Sequence, residues 1–595
     1  MLFQSQFEAL AGVAGAPVDY VKLITLLIIA SPLAYPLPSL PSTAKHVVCL
    51  ATSAFFFVGI LDLQAGFLQL LGTSLITYFL AKLQLGGRKM PWIVFFFEMG
   101  HLTINHLVRA FGNIPLTTIE ITAMQMVLTM NLTTFAWDVY DGQMRSEQEC
   151  DEQQKGQRIT EFPSLLEFLG YAFYFPGVLV GPSTRFVDYR AWANGTLYSS
   201  PKGKEKEHGG SASSPPPGRF LAASRELAIG FVSLAIYALY APSWDFAALT
   251  VPSAAGGVRD ESFIWRAWFA VVASFMARTK YYGIWTLTNA SCILSGLSYN
   301  GLAPLTTTGG SDVASRTRWN RCQNVDLLGV ELAQNWKELL DHWNMNTNVW
   351  LRNNVYKRIA KPGRKPGFKS TMFTFITSAF WHGIAPGYYV AFVLGGFCQS
   401  VARSLRKNLR PRVFRDPKQK GEVRSLSSLS QMRAGQLIYV SLSIAAVHTT
   451  LSFAAMAFIL LDVPTIMRAW ASLYFYGIIA VLGLMVAFRM GLGKYLSGSK
   501  RIVHPNSAND ERRAKINRAI SLPDVPAASR EAKEAALQSV QREIEDLDAQ
   551  PNLPDVEVVM EELRSRAQEL MRELGQKGEG QPAEVANKAA EVLAK

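Results

Sequence analysis

The sequence predicts an all-α polytopic membrane protein with about ten or eleven transmembrane helices. Two observations lead to this fold class. Hydrophobic residues make up 49% of the 595-residue chain, and they occur in long apolar blocks rather than in short periodic runs. The chain also has a net charge of +13, and its positive residues cluster in segments that flank those blocks, as is typical of cytoplasmic loops in membrane proteins.

Each block of about 20 predominantly apolar residues is a candidate span, because that length crosses the hydrocarbon core of a bilayer. The candidates lie near 19–38, 46–62, 64–83, 91–111, 117–137, 164–182, 226–247, 263–299 (one span or two), 370–400, 436–461 and 470–489. The segment 1–18 before them lacks the positive start and apolar centre of a cleaved signal. We therefore expect the first span to target the chain to its membrane.

The basic clusters at 352–369, at 403–424 and after Arg489 are explained by membrane topology and by contact with anionic lipid headgroups. We expect no nucleic acid partner. The cysteines form no CxxC pair, so we interpret them as reduced packing residues. They are Cys49, Cys150, Cys292, Cys322 and Cys398.

Two segments interrupt the pattern of spans. Residues 201–219 are rich in Gly, Ser, Pro and charge, which is typical of a disordered loop. From 493 to 595 no span fits, and short amphipathic stretches predict a tail that is partly helical. The basic residues at its start place this tail in the cytosol. The transmembrane domain then covers residues 19–492.

A polar block between apolar regions contains Trp336, Trp343 and Trp350 at intervals of seven residues. In a continuous helix this spacing returns to nearly the same face. The pattern therefore predicts an aromatic ridge with Leu340 and Thr347 between the tryptophans, used for packing or for anchoring at the membrane interface.

His382 lies in a run from 370 to 402 that contains no Asp, Glu, Lys or Arg. Gly383 and Gly387 allow close helix approach, and Pro386 bends or ends the helix within one turn of the histidine. Broken backbone at membrane depth is tolerated where it lines a cavity. His382 is thus either a neutral base beside a recessed opening or a core histidine bonded to a neighbouring hydroxyl or carbonyl. The remaining histidines are weaker candidates.

Other catalytic chemistries lack their motifs. The chain has no HExxH or CxxC ligand pair, no GxSxG nucleophile elbow and no phosphate-binding loop ending in Lys-Ser/Thr. These patterns carry metallohydrolase, serine hydrolase and nucleotide hydrolase chemistry, respectively. We therefore expect no metal site and a different reaction class.

The stretch "WNMNTNVWL" (343–351), followed by "SAFWHGIAPGYY" (378–389), resembles the Asn and His signature of the membrane-bound O-acyltransferase (MBOAT) family. The similarity is greatest to its lysophospholipid acyltransferase branch, including fungal broad-specificity members. "LTTFAWDVYDG" (132–142) and "LVGPSTRFVDYRAW" (179–192) support it. The resemblance covers roughly 15–495 and implies an MBOAT-type helical bundle that encloses a reaction chamber.

By this resemblance the signature histidine falls on His382 and its partner asparagine on Asn344, and both are expected to be catalytic. His382 would act as general base on the acceptor hydroxyl. Asn344 would donate to the oxyanion or hold the imidazole or the acceptor in place. Weaker candidates for substrate contacts are Trp343, Thr347, Trp381, Tyr388, Tyr389 and Arg352.

The resemblance also implies the substrates and the location. The expected reaction moves a fatty acyl group from acyl-coenzyme A, a co-substrate, to the free hydroxyl, mainly sn-2, of a lysophospholipid in the endoplasmic reticulum membrane. Membrane lipids are the other expected partners, and no cofactor is expected. Two alternatives remain open. The acceptor can be a hydroxyl of a glycolipid, another glycerolipid or a protein, or the chain can be a transporter or scaffold without enzymatic activity.

Overall fold

The computed structural model describes residues 2–115, 117–199, 214–303, 313–359, 367–414 and 432–497. Two predictions fall largely outside these ranges. The loop predicted to be disordered at 201–219 is described only from 214 onward, and the tail predicted at 493–595 is described only to 497.

The described ranges are mainly helical, and their one β interaction is an isolated antiparallel bridge between Leu302 and Thr317. The longer helices are α1 (Gln4–Ala14), α2 (Val18–Ala34), α3 (Ser42–Ala54, continued by a π-helical turn over Phe55–Ile60), α4 (Gln64–Lys82), α5 (Met90–Phe111), α6 (Thr122–Gln143), α11 (Arg219–Tyr240), α12 (Phe263–Leu294), α17 (Phe368–His382), α18 (Pro386–Val413), α19 (Ala434–Leu460), α20 (Val463–Ser472) and α21 (Tyr476–Arg489).

Shorter helices connect them. They are α7 (Glu152–Lys155), α8 (Leu165–Ala172), α9 (Phe175–Val178), α10 (Phe186–Ala193), α13 (Val313–Arg316), α14 (Leu327–Glu331), α15 (Trp336–His342), α16 (Met345–Leu351, continued by a π-helical turn over Arg352–Tyr356) and α22 (Leu492–Ser497). Single 3₁₀ turns cover Leu37–Ser39, Gly87–Lys89, Glu147–Glu149, Ala241–Ser243, Phe246–Thr250 and Ser253–Ala255.

Among the described residues, four helical segments are individually long and apolar enough to cross a membrane: Val18–Ser39, Ser42–Ile60, Arg219–Thr250 and Ala434–Leu460. Helices α20 and α21 pass the same test together, with a bend of 82° between them. Helices α4, α5, α6, α12 and α18 have 19 to 32 residues, which at about 1.5 Å per residue is long enough to cross a bilayer core. For these more polar helices, membrane crossing remains a prediction.

The structure decides the form of two predicted spans, at 263–299 and at 164–182. The segment 263–299 contains one continuous helix, α12 (Phe263–Leu294), of 32 residues, so it holds one candidate span rather than two. The prediction of a span at 164–182 is wrong, because this segment folds into α8 and α9, of 8 and 4 residues. Pro176 lacks an amide hydrogen and is tolerated only in the first turn of a helix. The aromatic side chains of the segment, such as Tyr171, are buried in protein.

The hydrophobic core has a compact cluster where α5 and α6 meet α16 and α17. Its buried members include Phe95, Met99, Met130, Trp350 and Trp381. These side chains fix the two sequence motifs that surround Asn344 and His382. The five cysteines are free and buried, as predicted.

A partly buried ion pair joins the polar block to α12. Arg278 donates two hydrogen bonds to the Glu331 carboxylate, with N···O distances of 3.0 and 2.8 Å, and the Tyr282 hydroxyl donates to the same group. His448 on α19 bonds the Glu331 backbone carbonyl at 2.9 Å. Removing one partner of a buried pair leaves an uncompensated charge, so this network holds the polar block in one place.

Candidate active site

The helix that carries His382 is broken directly after it. Helix α17 ends at His382, Gly383 adopts a φ of 139°, and α18 begins at Pro386. Proline is favoured at the first position of a helix, where its missing donor costs nothing. The prediction of a broken backbone beside the histidine is therefore confirmed.

Gly387 brings α18 into backbone contact with the end of α19. Its amide donates to the Leu461 carbonyl at 2.9 Å. A Cβ atom placed on Gly387 would lie 2.2 Å from the carbonyl oxygen of Ala457 and 2.6 Å from the Leu461 Cα. Only a glycine allows this approach, as expected for a close helix contact.

We expect Gly387→Ala to lower the thermal unfolding midpoint of the purified protein in detergent. The clash is with backbone, which cannot move aside, and overpacking of this kind costs about 1–3 kcal/mol or more. The matched control is Gly72→Ala in α4, where the added Cβ meets no atom within 4 Å. An unchanged midpoint in Gly387→Ala would contradict the contact.

The imidazole of His382 is surrounded by aromatic rings. Ring centroids lie 4.7 Å away for Trp381, 5.0 Å for Phe458, 5.1 Å for Phe392 and 5.7 Å for Tyr388. The residue as a whole is partly buried. Within the described ranges, neither ring nitrogen forms a hydrogen bond. A nitrogen in this environment can accept a proton from a bound substrate, since no protein donor occupies it.

A second histidine lies beside the helix break. His106 of α5 is buried, and its Nε2 donates to the backbone carbonyl of Trp381 at 3.2 Å. Its Nδ1 lies 3.5 Å from the position that a Cβ on Gly383 would occupy. From the sequence alone His106 is one of the weaker candidate histidines, because only the packing of α5 against α17 brings it to this place.

Asn344 interrupts the helix that the tryptophan spacing suggested. It has a φ of 45° and separates α15 from α16. The prediction of one aromatic ridge is wrong, because Trp343 packs on Trp285 of α12 at 5.0 Å, whereas Trp350 packs on Trp381 at 5.9 Å. Asparagine is one of the few residues that adopt this left-handed conformation at low cost.

The side-chain amide of Asn344 has a defined orientation. Its Oδ1 accepts hydrogen bonds from Asn324 Nδ2 at 3.1 Å and from Thr347 Oγ1 at 2.8 Å. Both acceptor positions of the oxygen are thus used. The Nδ2 group has no partner in the described part of the chain, and the residue is partly exposed. The amide therefore presents donors rather than an acceptor to a substrate.

Both motifs are anchored on the same face of α6, one turn apart. The Trp381 indole donates to the carbonyl of Met126 at 3.0 Å, and the Thr347 hydroxyl contacts the sulfur of Met130 at 3.3 Å. Residues four apart lie on one face of a helix. The structure thus brings the neighbours of His382 and of Asn344 together, although the two motifs are separate in sequence.

The weaker candidates lie around this pair in different ways. Tyr388 is a direct ring neighbour of His382. Tyr389, the next residue, is partly exposed. Arg352 starts the π-helical turn after α16, and its Nε is buried with no hydrogen-bond partner in the structure as described. Their substrate contacts stay predictions. Among the described residues no group of three or more His, Cys, Asp or Glu is arranged to hold a metal.

Comparison with known proteins finds similarity to one family model and to several acyltransferases. The family model described as "MBOAT, membrane-bound O-acyltransferase family" matches residues 107–444. The protein named lysophospholipid acyltransferase from Schizosaccharomyces pombe is 35% identical over 84% of this chain and 92% of its own length. The protein of the same name from Saccharomyces cerevisiae is 35% identical over 80% of this chain and 74% of its own. A Mus musculus relative, membrane-bound glycerophospholipid O-acyltransferase 1, is 28% identical over 64% of this chain and 71% of its own.

Proposed function

This chain belongs to the membrane-bound O-acyltransferase family, and on that premise we propose that it acylates lysophospholipids. The acyl donor is acyl-coenzyme A, and the acceptor is the free hydroxyl, mainly at sn-2, of a lysophospholipid. The reaction serves phospholipid remodelling and synthesis. The names of the two fungal relatives support the acceptor class.

The observation that carries this proposal is the state of the two signature side chains. His382 is a partly buried residue whose imidazole has no hydrogen-bond partner in the described ranges, and Asn344 presents amide donors because its oxygen is occupied. One group can take a proton and the other can stabilise negative charge on oxygen. Acyl transfer to an alcohol needs both functions.

In the proposed mechanism His382 removes the hydroxyl proton as the oxygen attacks the thioester carbonyl. The Asn344 amide donates to the oxyanion of the tetrahedral intermediate. When the carbon–sulfur bond breaks, the protonated imidazole returns the proton to the thiolate, so the products are the phospholipid and free coenzyme A. The aromatic rings around His382 exclude water, which would otherwise hydrolyse the thioester.

The location follows from the same proposal. A lysophospholipid stays in the bilayer, so an enzyme that acts on it there needs a membrane-embedded chamber. We assign the chain to the endoplasmic reticulum membrane with the tail after 493 in the cytosol, supported by the basic residues after Arg489, which favour the cytoplasmic side.

The test is acyl transfer from labelled oleoyl-coenzyme A in membranes that contain the wild-type protein. Lysophospholipids with choline, ethanolamine, serine, inositol or plain phosphate headgroups are supplied in turn. We expect labelled diacyl phospholipid, with the label released by phospholipase A₂ if the acyl chain is at sn-2. Labelled oleate without coenzyme A is the donor control. No product with any lysophospholipid, or equal product from free oleate, would overturn the proposal.

A further inference from the structure

Asn324 lies in the connection before α14, twenty positions ahead of Asn344, and is 5% exposed. Nothing in the sequence pattern marks it as functional. In the structure Asn324 is hydrogen-bonded to three consecutive residues, Asn344, Met345 and Asn346. It therefore contacts the chain at the point where the left-handed residue starts α16.

Two of these interactions hold the backbone. The Asn324 carbonyl accepts from the Met345 amide at 2.8 Å, and its Oδ1 accepts from the Asn346 amide at 3.0 Å. Oδ1 also accepts from the Asn346 side chain at 3.1 Å. The first amides of a helix have no partner within the helix, so Asn324 acts as a cap supplied from a distant segment.

The remaining interaction acts on the Asn344 side chain. The Nδ2 of Asn324 donates to the Oδ1 of Asn344 at 3.1 Å. A primary amide can turn by 180° and exchange its oxygen with its nitrogen at little steric cost. The donor from Asn324 makes one orientation favourable and the reverse one repulsive, because the reverse places two NH₂ groups against each other.

We propose that Asn324 is a positioning residue that directs the Asn344 amide donors toward the reacting carbonyl. This inference rests on the proposed function, in which Asn344 stabilises the oxyanion. Asn324 touches no reacting atom itself. It determines which end of the neighbouring amide faces the substrate.

The decisive variant is Asn324→Asp, which has almost the same shape. Its carboxylate still accepts from the Asn346 amide but cannot donate to Asn344 Oδ1. The Asn344 amide then turns its NH₂ group toward the new carboxylate and its oxygen toward the substrate. We expect kcat to fall on the order of 10²-fold, close to the effect of losing an oxyanion donor, while KM changes by less than about threefold.

The matched control is Asn320→Asp, which adds the same charge to the same connection. Asn320 is exposed, and its Oδ1 only accepts from Asn300 at 2.9 Å, an interaction that aspartate retains. We expect its kinetics to match the wild type. A similar loss of kcat in both variants would overturn the proposal, because it would point to added charge alone.

A double-mutant cycle with Asn344→Gly separates positioning from general stability. If Asn324 acts through Asn344, then Asn324→Asp lowers kcat in the wild-type background but not in the Asn344→Gly background. Additive losses, or an Asn324→Asp protein with wild-type kcat, would overturn the inference. A wild-type protein without transfer activity would instead overturn the proposed function.

If Asn324→Asp does not yield folded protein, Thr347→Val provides the second measurement. It removes the other donor to Asn344 Oδ1, at 2.8 Å, and keeps the branched shape of the side chain. Because one of two donors remains, we expect a loss in kcat of about tenfold, again absent in the Asn344→Gly background. Wild-type kcat in this variant would contradict control of the amide orientation by its hydrogen-bond donors.

Discussion

Membranes that contain the His382→Ala protein are expected to form no labelled phospholipid above background under conditions in which the wild type is active. The alcohol of a lysophospholipid is a poor nucleophile unless a base removes its proton, and general-base catalysis contributes about 10²- to 10⁴-fold in rate. Among the described residues no side chain forms a hydrogen bond with the imidazole, so its nitrogens stay available to the substrate. The measurement is the initial rate of transfer at equal amounts of each protein.

His382→Gln separates the loss of the base from the loss of packing. Glutamine retains much of the side-chain volume among the rings of Phe392 and Phe458 but cannot act as a base near neutral pH. We expect it to be as inactive as the alanine variant, with a wild-type elution profile in detergent. His101→Gln on α5 is the control for histidine replacement. Full activity of His382→Gln would show that the histidine has a packing role only.

Local signals were enough to predict the backbone around His382. Pro386 starts α18, as expected of a proline at a helix break. Gly383 was expected to allow close helix approach, but it lies in the break itself with a φ of 139°, a conformation open to glycine. Gly387 makes the close helix contact that was expected of it, against the end of α19, although the helix break separates it from Gly383. The break after His382 thus follows from local residue types, whereas the partner of Gly387 is set by the packing of α18 against α19.

Other features depend on tertiary contacts that composition does not encode. The span expected at 164–182 is apolar, but hydropathy cannot tell a side chain that faces lipid from one buried in protein, as Tyr171 is. The tryptophan ridge assumed a continuous helix, whereas Asn344 breaks it. That break is held by Asn324, and no periodicity links these two residues. His106 reaches Trp381 only because α5 packs against α17.

The Asn344→Asp protein is expected to lose about 10²- to 10³-fold in kcat, the effect of removing one oxyanion donor, with a small change in KM. Aspartate tolerates the left-handed backbone of this position and can still accept from Asn324 and Thr347, so the local fold is retained. It lacks the NH₂ group that faces the substrate. Steady-state kinetics with varied acyl-coenzyme A and varied lysophospholipid give both parameters.

Asn344→Gly is the control for the charge that aspartate adds, because glycine is neutral and equally compatible with a φ of 45°. If oxyanion stabilisation is the role of Asn344, both variants lose kcat and neither shows a large increase in KM, because the interaction exists only in the transition state. A rise in KM for the lysophospholipid with kcat unchanged would mean that Asn344 holds the acceptor. A displaced pH profile of kcat would mean that it orients His382. Either result would contradict the oxyanion role, and the first would also remove the basis for control by Asn324 of the amide orientation.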